Sequence, residues 1–180
     1  MKKTKSHKKG KILWLTGLSG SGKSTLSKKL CRFFKRKKYK VCVVDGDSFR
    51  KKNKVKNSFT KKNIINNNTL IINYLKKKHH LFDFLIVSVI SPLKQTRIKA
   101  KKIFSPYYYE IFVNCSHIEL QRRDTKNLYK LANSGKIKNL IGYKSKIKYE
   151  KTKYRKIVVD THLLSKKQSL SKILKGINLI

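Results

Sequence analysis

The sequence predicts an α/β fold: a three-layer α/β/α sandwich around a mainly parallel five-stranded sheet. Short apolar runs alternate along the chain with segments of helical periodicity, which is the order of elements in β-α-β units. One run, FDFLIVSVIS at residues 82–91, lacks polar alternation and is typical of a strand buried on both faces of a parallel sheet. These observations favour strands in the middle layer and helices on both sides.

The first half of the chain gives three strands and two helices. KILWLTG and KVCVVDG are apolar runs that predict the first two strands, and FDFLIVSVIS predicts the third. The segment after KILWLTG places apolar side chains on one helical stripe, namely Leu26, Leu30, Phe33 and Phe34. A second helix, which includes NNNTLIINYLKKK, is expected to begin near Thr60.

The second half continues the alternation. Pro92 is suited to the first turn of a helix over LKQTRIKAKKIF. YYEIFVN and RKIVVDT predict the fourth and fifth strands, and SLSKILKGINLI predicts an amphipathic closing helix. No internal repeat interrupts this order.

The length of 180 residues suits one domain, which we expect at residues 11–180. Residues 1–10 are rich in lysine and are predicted to be a disordered basic tail. The least periodic segment, residues 124–154, is polar and lysine-rich, which favours a lid over a part of the core.

The sequence predicts a cytoplasmic protein that does not bind a membrane. The apolar segment behind the basic start breaks at Gly17, too early for a signal peptide, and no run approaches the ~18–20 apolar residues of a membrane span. The three cysteines, Cys31, Cys42 and Cys115, form no CxxC pair, which argues against a zinc site or a disulfide framework.

The chain is strongly basic, with 47 Lys and Arg against 8 Asp and Glu. Two interpretations stand: a nucleic-acid binder, or drift toward the Lys, Asn and Ile that AT-rich codons encode. Drift is favoured because the lysines are spread over the whole chain and Arg, which specific base contacts use, is scarce. We therefore expect salt-sensitive, non-specific binding to polyanions and no specific nucleic-acid partner.

A phosphate-binding loop follows the first predicted strand. The segment Gly17-Leu18-Ser19-Gly20-Ser21-Gly22-Lys23-Ser24-Thr25 satisfies G-x-x-x-x-G-K-[ST] between a strand and a helix. Glycines let the backbone N–H groups approach phosphate oxygens, and the helix N-terminus adds its unpaired amides. Lys23 is expected to reach the β- and γ-phosphates and Ser24 to bind Mg²⁺, which makes this a P-loop NTPase-type fold.

An acceptor site is predicted at the carboxyl end of the second strand. VVDGDSFR places Asp45, Asp47 and Arg50 where open α/β sheets bind their ligands. Two acids two residues apart can have different roles: one is held by a metal ion or water, and the other faces an acceptor hydroxyl as a base. The guanidinium of Arg50 can donate two parallel hydrogen bonds to an acceptor phosphate or sulfate. A plain Asx turn capped by an Asp is the structural alternative.

These motifs resemble those of the adenylylsulfate kinase family, which transfers the γ-phosphoryl group of ATP to the 3′-hydroxyl of adenosine 5′-phosphosulfate in sulfate assimilation. WLTGLSGSGKSTL looks like the family's phosphate loop, and DGDSFR resembles its D-G-D-N-V-R. ISPLKQTR, RDTKNLYKLANSGKIKN and VVDT match further family motifs in the same order. The resemblance covers residues 12 to about 174 and implies Mg²⁺·ATP as donor; the family often forms dimers, so a homodimer is one expectation here.

The resemblance also implies roles for individual residues. Asp47 is the expected base or hydroxyl-orienting group, and Asp45 supports it. The remaining acceptor residues are Arg50 at the phosphosulfate end, Phe59 stacking on adenine, Asn67, Ile90, Ser91, Lys126 and Leu128. Ser91 corresponds to a family position that is sometimes found phosphorylated, and it stands with Lys23 and Asp47 among the expected catalytic residues. For Ser91, a turn residue at a helix N-terminus before Pro92 is a nearly equal interpretation. Lys126, Leu128 and Tyr129 lie in the expected lid, and for Leu128 and Tyr129 plain lid packing is an equal interpretation.

Three positions depart from the family pattern. Ile64 stands where the family has an acceptor-binding Arg, a loss of ~1.5–3 kcal/mol that Lys61 partly restores if it shares the same helical face. Leu140 replaces an adenine-stacking aromatic, worth ~0.5–1.5 kcal/mol, and Lys144 replaces an acid. Together, roughly 2–4 kcal/mol implies ~30- to 1000-fold weaker acceptor binding without compensation.

Two other functions stay open. One is a small-molecule P-loop kinase with a different hydroxyl acceptor. The other is a polyanion-binding protein that retains a vestigial kinase fold.

Overall fold

The computed structural model describes residues 9–54 and 60–180. Its sheet has five strands in the order β2-β3-β1-β4-β5, and every neighbouring pair is parallel. The predicted α/β sandwich with a five-stranded sheet is therefore confirmed. The strands are β1 Lys11–Thr16, β2 Val41–Asp45, β3 Phe84–Ser88, β4 Tyr108–Asn114 and β5 Ile157–Asp160.

Four long helices lie where periodicity predicted them, and three short helices were not predicted. The long ones are α1 Lys23–Arg36, α3 Lys61–Lys78, α4 Lys94–Phe104 and α7 Lys166–Gly176, and the short ones are α2 Gly46–Lys52, α5 His117–Arg123 and α6 Leu128–Asn133. The short helices have six or seven residues, too few for a periodic apolar stripe to be recognised.

Side-chain caps define where several helices begin. Thr60 accepts the backbone N–H of Asn63 at 3.2 Å, which confirms the predicted start of α3. Pro92, by contrast, does not open α4, which begins at Lys94. The Pro92 carbonyl accepts the N–H of Glu150, and the Glu150 carboxylate accepts the N–H of Lys94 at 2.8 Å. A residue distant in sequence thus supplies the cap of α4.

Strand β1 divides the core into two layers. Ile12 and Trp14 face the layer that includes α3 and α4, whereas Leu13 and Leu15 face the layer that includes α1 and α7. All four side chains are fully buried. Burial on both faces is the pattern expected of a central strand in a parallel sheet.

The order of the strands creates a crevice beside β1. The chain runs from β1 to β2 and β3 on one side of it and to β4 and β5 on the other. In open α/β sheets, ligands bind outside the carboxyl ends of the strands at such a switch point. In the described part of the chain, none of the helices combines the length and apolar character needed to cross a membrane.

The predicted tail and lid boundaries stay predictions. Gly10 is buried and exchanges hydrogen bonds with His79, so the ordered part of the chain begins before β1. Residues 1–8 of the tail lie outside the described residues. The segment expected to form a lid contains α6 followed by turns and packs against Leu18, Cys115 and Leu120.

Candidate active site

A cavity of about 980 Å³ opens at the carboxyl ends of the strands. Residues from the phosphate loop, the DGDSFR segment, the loop after β3 and the lid share its wall. The sequence-predicted residues among them are Ser19, Gly20, Gly22, Lys23, Ser24, Thr25, Asp45, Asp47, Arg50, Ile90, Lys126 and Leu128. The fold therefore brings most of the predicted donor and acceptor residues together.

The phosphate loop has the backbone conformation that its glycines predict. Gly17 has a φ of 148°, and a Cβ there would lie 2.3 Å from the carbonyl oxygen of Val113. Gly22, which precedes the first residue of α1, has a φ of 94° in the left-handed region. A larger residue at either position would strain or displace the loop. Gly22, Lys23 and Ser24 at the start of α1 line the cavity, and the unpaired N–H groups of a helix N-terminus favour an anion there.

Lys23 is buried at the base of this loop. Its Nζ donates to the carbonyl oxygen of Leu18 at 2.7 Å, and the residue is 8% exposed. Burial, followed by repulsion from Lys126, lowers the pKa of Lys23 to about 8, against the opposing attraction of Asp47 and Asp45. A bound polyphosphate would favour the charged form, so this ammonium is ready to neutralise a triphosphate.

Ser24 and Asp45 meet at the front of the loop. The Ser24 hydroxyl donates to the Asp45 carboxylate at 3.1 Å. The other Asp45 oxygen accepts the N–H groups of Asp47 and Ser48, so Asp45 also caps α2. The structural alternative of an Asx-type cap is thus confirmed for Asp45, and its role in the acceptor site stays a prediction. A hydroxyl and a carboxylate oxygen side by side are the hard oxygen donors that Mg²⁺ prefers.

Asp47 faces the lid. Its carboxylate pairs with the guanidinium of Arg50 one helical turn on and with the ammonium of Lys126, 79 positions later. Burial by itself would raise the pKa of Asp47, but the Lys126 hydrogen bond and the charges of Arg50, Lys126 and Lys23 outweigh it and lower the pKa. Asp47 is therefore a carboxylate at neutral pH, and half of its side chain is exposed to the cavity.

The segment predicted to form the lid is hydrogen-bonded to the phosphate loop. The Tyr129 hydroxyl donates to the Ser19 carbonyl oxygen at 2.9 Å, and the Tyr129 side chain is buried. Asp124 accepts the N–H groups of Tyr129 and Lys130, which fixes the start of α6 next to Lys126. Tyr129 thus has the packing role that was one of its two predicted interpretations.

Three residues that the sequence did not single out form the wall near β5. Arg123 donates to the carbonyl oxygen of Thr161 at 2.7 Å and to its hydroxyl at 3.1 Å, and it also pairs with Glu119. The Thr161 hydroxyl donates to the Ser21 carbonyl oxygen at 2.9 Å. All three side chains line the cavity. The signal for Arg123 and Thr161 was present in the RD and VVDT motifs, which were recognised but given no site role, whereas Glu119 lies outside both motifs.

Of the predicted site residues that the structure describes, five do not line the cavity, namely Gly17, Leu18, Ser21, Asn67 and Ser91. Ser91 is buried, with its hydroxyl 3.2 Å from that of Thr96, and has no part in the mechanism proposed below. Asn67 is buried in α3, and its side-chain oxygen has no partner within the described residues. Phe59 lies outside the described residues.

The three departures from the expected pattern have different surroundings. Ile64 is 8% exposed and belongs to an apolar cluster with Leu93, Ile141 and Ile147. Leu140 is buried in the lid and also lines the cavity, whereas Lys144 is exposed. The position of the expected arginine therefore helps to pack the lid against α3.

The parallel sheet, the phosphate loop and the adjacent acidic motif define this chain as a P-loop kinase. A family model described as adenylylsulphate kinase matches residues 9–160. The chain therefore belongs to the adenylylsulphate kinase family.

Relatives and solved structures agree with this assignment. An adenylyl-sulfate kinase of Clostridium acetobutylicum is 30% identical over 93% of this chain and 82% of its own length. One from Clostridium kluyveri is 34% identical over 92% of this chain and 82% of its own length. The APS kinase of Mycobacterium tuberculosis, solved in complex with AMPPNP and APS, superposes with a TM-score of 0.83 at 26% identity, covering 94% of this chain and 98% of that one.

Proposed function

We propose that this chain transfers the γ-phosphoryl group of ATP to the 3′-hydroxyl of adenosine 5′-phosphosulfate. The observation that carries the proposal is the shared cavity in which Lys23 of the phosphate loop and the carboxylate of Asp47 lie together. The family assignment supports both substrates, since a relative of the same fold was solved with AMPPNP and APS. The product, 3′-phosphoadenylylsulfate, is that of sulfate assimilation.

The donor side works by positioning and charge. The N–H groups of the phosphate loop hold the β- and γ-phosphates, and Lys23 neutralises the charge that moves toward the leaving oxygen. Ser24 and Asp45 would hold Mg²⁺, which supplies further neutralisation when it is bound. Thr161 and Arg123 close the wall beyond the phosphate loop and are placed to contact the remainder of the donor nucleotide.

The acceptor side depends on Asp47. Its lowered pKa makes it a weak base, so its main task is to accept a hydrogen bond from the acceptor hydroxyl and aim that oxygen at the γ-phosphorus. In a loose phosphoryl-transfer transition state the hydroxyl keeps its proton until late, and a weak base in the correct place is sufficient. Arg50 and Lys126 pair with Asp47, and their remaining N–H donors can contact the anionic end of the acceptor.

The lid completes the site. Lys126 and Leu128 line the cavity, and Tyr129 holds the lid against Ser19 of the phosphate loop. A closed lid excludes water and so suppresses hydrolysis of ATP. We place this lid at residues 124–154 of a single kinase domain at 11–180, in a cytoplasmic protein whose formation of a homodimer remains a prediction.

A different hydroxyl acceptor is the second candidate. The buried, apolar surroundings of Ile64 favour it, because the charge that the family uses on the acceptor is absent there. An acceptor with less negative charge would lose less from that change.

A coupled assay of ADP release tests the proposal. We expect adenosine 5′-phosphosulfate to stimulate release, with 3′-phosphoadenylylsulfate as the product, and Lys23→Ala to abolish it. A panel of other hydroxyl compounds measures the second candidate in the same assay. Stimulation by one of those compounds and none by adenosine 5′-phosphosulfate would refute the proposal. Absence of all ATP turnover, together with DNA binding that persists above ~0.3 M salt, would support the vestigial polyanion binder instead.

A further inference from the structure

A buried polar cluster lies behind the cavity and has no part in the mechanism above. It joins the end of the lid segment, at Tyr149 and Glu150, to Arg97 of α4 and Glu110 of β4. Arg97 and Glu110 are almost fully buried, with Nε and the carboxylate oxygen 3.4 Å apart. Burial of such charged groups costs desolvation free energy, and this cluster is also hydrogen-bonded to neighbouring loops.

One hydroxyl of this cluster reaches the phosphate loop. The Tyr149 hydroxyl lies 3.0 Å from Oγ1 of Thr16, the residue that immediately precedes Gly17. Thr16 is fully buried, and its hydroxyl donates to the Ile90 carbonyl oxygen at 2.5 Å. A threonine hydroxyl has a single proton, so Tyr149 must be the donor in its bond to Thr16. Burial raises the pKa of Tyr149 to about 12, which keeps that proton in place.

The hydrogen-bond relay from Tyr149 through Thr16 to the Ile90 carbonyl oxygen also holds the loop after β3. Ile90 lines the acceptor side of the cavity, and its carbonyl oxygen also accepts the Gly17 N–H at 3.4 Å. The next residue, Ser91, has a φ of 43°, a conformation that non-glycine residues seldom adopt. Arg97 donates to the Ser91 carbonyl oxygen and so holds this turn. The donor loop and the acceptor loop therefore meet at Thr16.

The ring of Tyr149 has little freedom to move. It stacks on Phe112 of β4 with ring centroids 4.9 Å apart, and the Arg97 guanidinium lies 4.7 Å from its centroid on the helix side. Arg97 also donates to the Glu150 carbonyl oxygen, and the Glu150 N–H donates to Pro92 at 2.9 Å. The hydroxyl is thus presented to Thr16 by a rigid support.

We propose that Tyr149 is a positioning residue that sets the spacing between the phosphate loop and the Ile90 turn by donating to Thr16. The inference rests on the proposed function, in which the phosphoryl group passes from the phosphate loop to an acceptor bound beside the Ile90 turn. Tyr149 touches neither substrate and acts through Thr16 and Ile90. Misplacement of reacting groups by about 1 Å can reduce a rate by ~100-fold, so a small drift of either loop has a measurable effect.

Tyr149→Phe tests this by removing the hydroxyl and keeping the stacked ring. We expect kcat to fall roughly 10-fold while KM for ATP stays within about 2-fold, because the glycines and Lys23 of the phosphate loop are unchanged. Thr16→Val should produce a loss at least as large. The double variant should be no worse than Thr16→Val alone, since both changes break one relay.

Tyr154→Phe is the matched control. The Tyr154 hydroxyl donates to Glu110 in the same cluster, but it has no contact with Thr16 or Ile90. Its loss should lower the thermal midpoint as much as Tyr149→Phe does and leave kcat unchanged. Equal kcat losses in the two variants, or additive losses in the double variant, would overturn the positioning role.

Hydrogen exchange gives a second reading that does not depend on activity. Without nucleotide, peptides covering residues 15–21 and 88–92 should exchange faster in Tyr149→Phe than in wild type and in Tyr154→Phe. Unchanged exchange there would refute the inference. The wild-type rate with adenosine 5′-phosphosulfate, measured alongside, tests the proposed function by itself, so the two failures are distinguishable.

Discussion

The carboxylate of Asp47 and the ammonium of Lys126 form an ion pair that connects the acceptor motif to the lid. The two residues lie 79 positions apart in the sequence, and both line the cavity. The pair brings charge of both signs to the place where the acceptor hydroxyl must approach the γ-phosphate. Its members are therefore the first targets for mutation.

Asp47→Asn should reduce kcat by at least about 100-fold with little change in KM for ATP. The amide keeps the size of the side chain, but it has one acceptor oxygen in place of two and carries no charge, so the acceptor hydroxyl loses a strong orienting partner. Steady-state kinetics with both substrates varied would measure the split. Asp83→Asn is the control: it removes an exposed carboxylate that accepts the backbone N–H of Lys40, and it should behave as wild type. Near-normal kcat in Asp47→Asn would exclude the assigned role.

Lys126→Met should move both limbs of the pH profile to higher pH. Loss of the Lys126 bond and charge lets the pKa of Asp47 rise, so the carboxylate is protonated at a less acidic pH. Repulsion by Lys126 is also a cause of the lowered pKa of Lys23, about 8 in the wild type, and its removal keeps Lys23 charged further into the alkaline range. The profiles of kcat/KM, which report the free enzyme, provide the measurement.

Lys130→Met is the control for that shift. It removes the same charge from an exposed position of α6, four residues further along the lid. Its pH profile should match that of the wild type. A shift of equal size in both variants would assign the effect to net charge and not to the contact with Asp47.

Ser24→Ala should raise the Mg²⁺ concentration needed for half-maximal activity by about 10-fold or more. The variant removes one hard oxygen donor and leaves the Asp45 cap on α2 intact, so the helix is preserved. Titration of Mg²⁺ at saturating ATP would show the change. Ser27→Ala makes the same replacement one turn along α1, at a buried hydroxyl away from the cavity wall, and should leave the Mg²⁺ requirement unchanged.

Ile64→Arg should have two opposite effects. It places a charge in the cluster formed with Leu93, Ile141 and Ile147, which should lower the free energy of unfolding by about 2 kcal/mol or more. It also restores the residue that the family uses on the acceptor, which should lower KM for adenosine 5′-phosphosulfate by about 10-fold. Denaturant unfolding and acceptor titration measure the two effects.

Leu70→Arg offers the comparison on the same helix. Leu70 is 42% exposed, so a charge there should change neither quantity. A folded Ile64→Arg variant with unchanged acceptor KM would show that this position does not reach the acceptor.

The sequence was sufficient wherever structure depends on neighbours in the chain. Apolar runs predicted all five strands within a few residues, and Thr60 marked the start of α3. The phosphate loop and the Asp45–Asp47 motif were found because their function needs fixed local spacing. Helix α5 was missed because seven residues capped by Ser116 carry almost no periodic signal.

Contacts between distant segments could not be predicted from the sequence. The bond between Tyr149 and Thr16 spans 133 positions, and that between Thr161 and Ser21 spans 140. Neither pairing has a local pattern that would predict it. The burial of Ile64 against the lid belongs to the same class, since the sequence indicated only that an expected charge was absent.

The bond from the Tyr129 hydroxyl to Ser19 has a consequence for product release. In the proposed mechanism each catalytic cycle leaves ADP at the phosphate loop, whose Ser19 carbonyl oxygen accepts a hydrogen bond from Tyr129 of the predicted lid. Opening of the lid would break this hydrogen bond, and the backbone around Ser19 could then release the diphosphate. We therefore expect opening of the lid and release of ADP to be coupled.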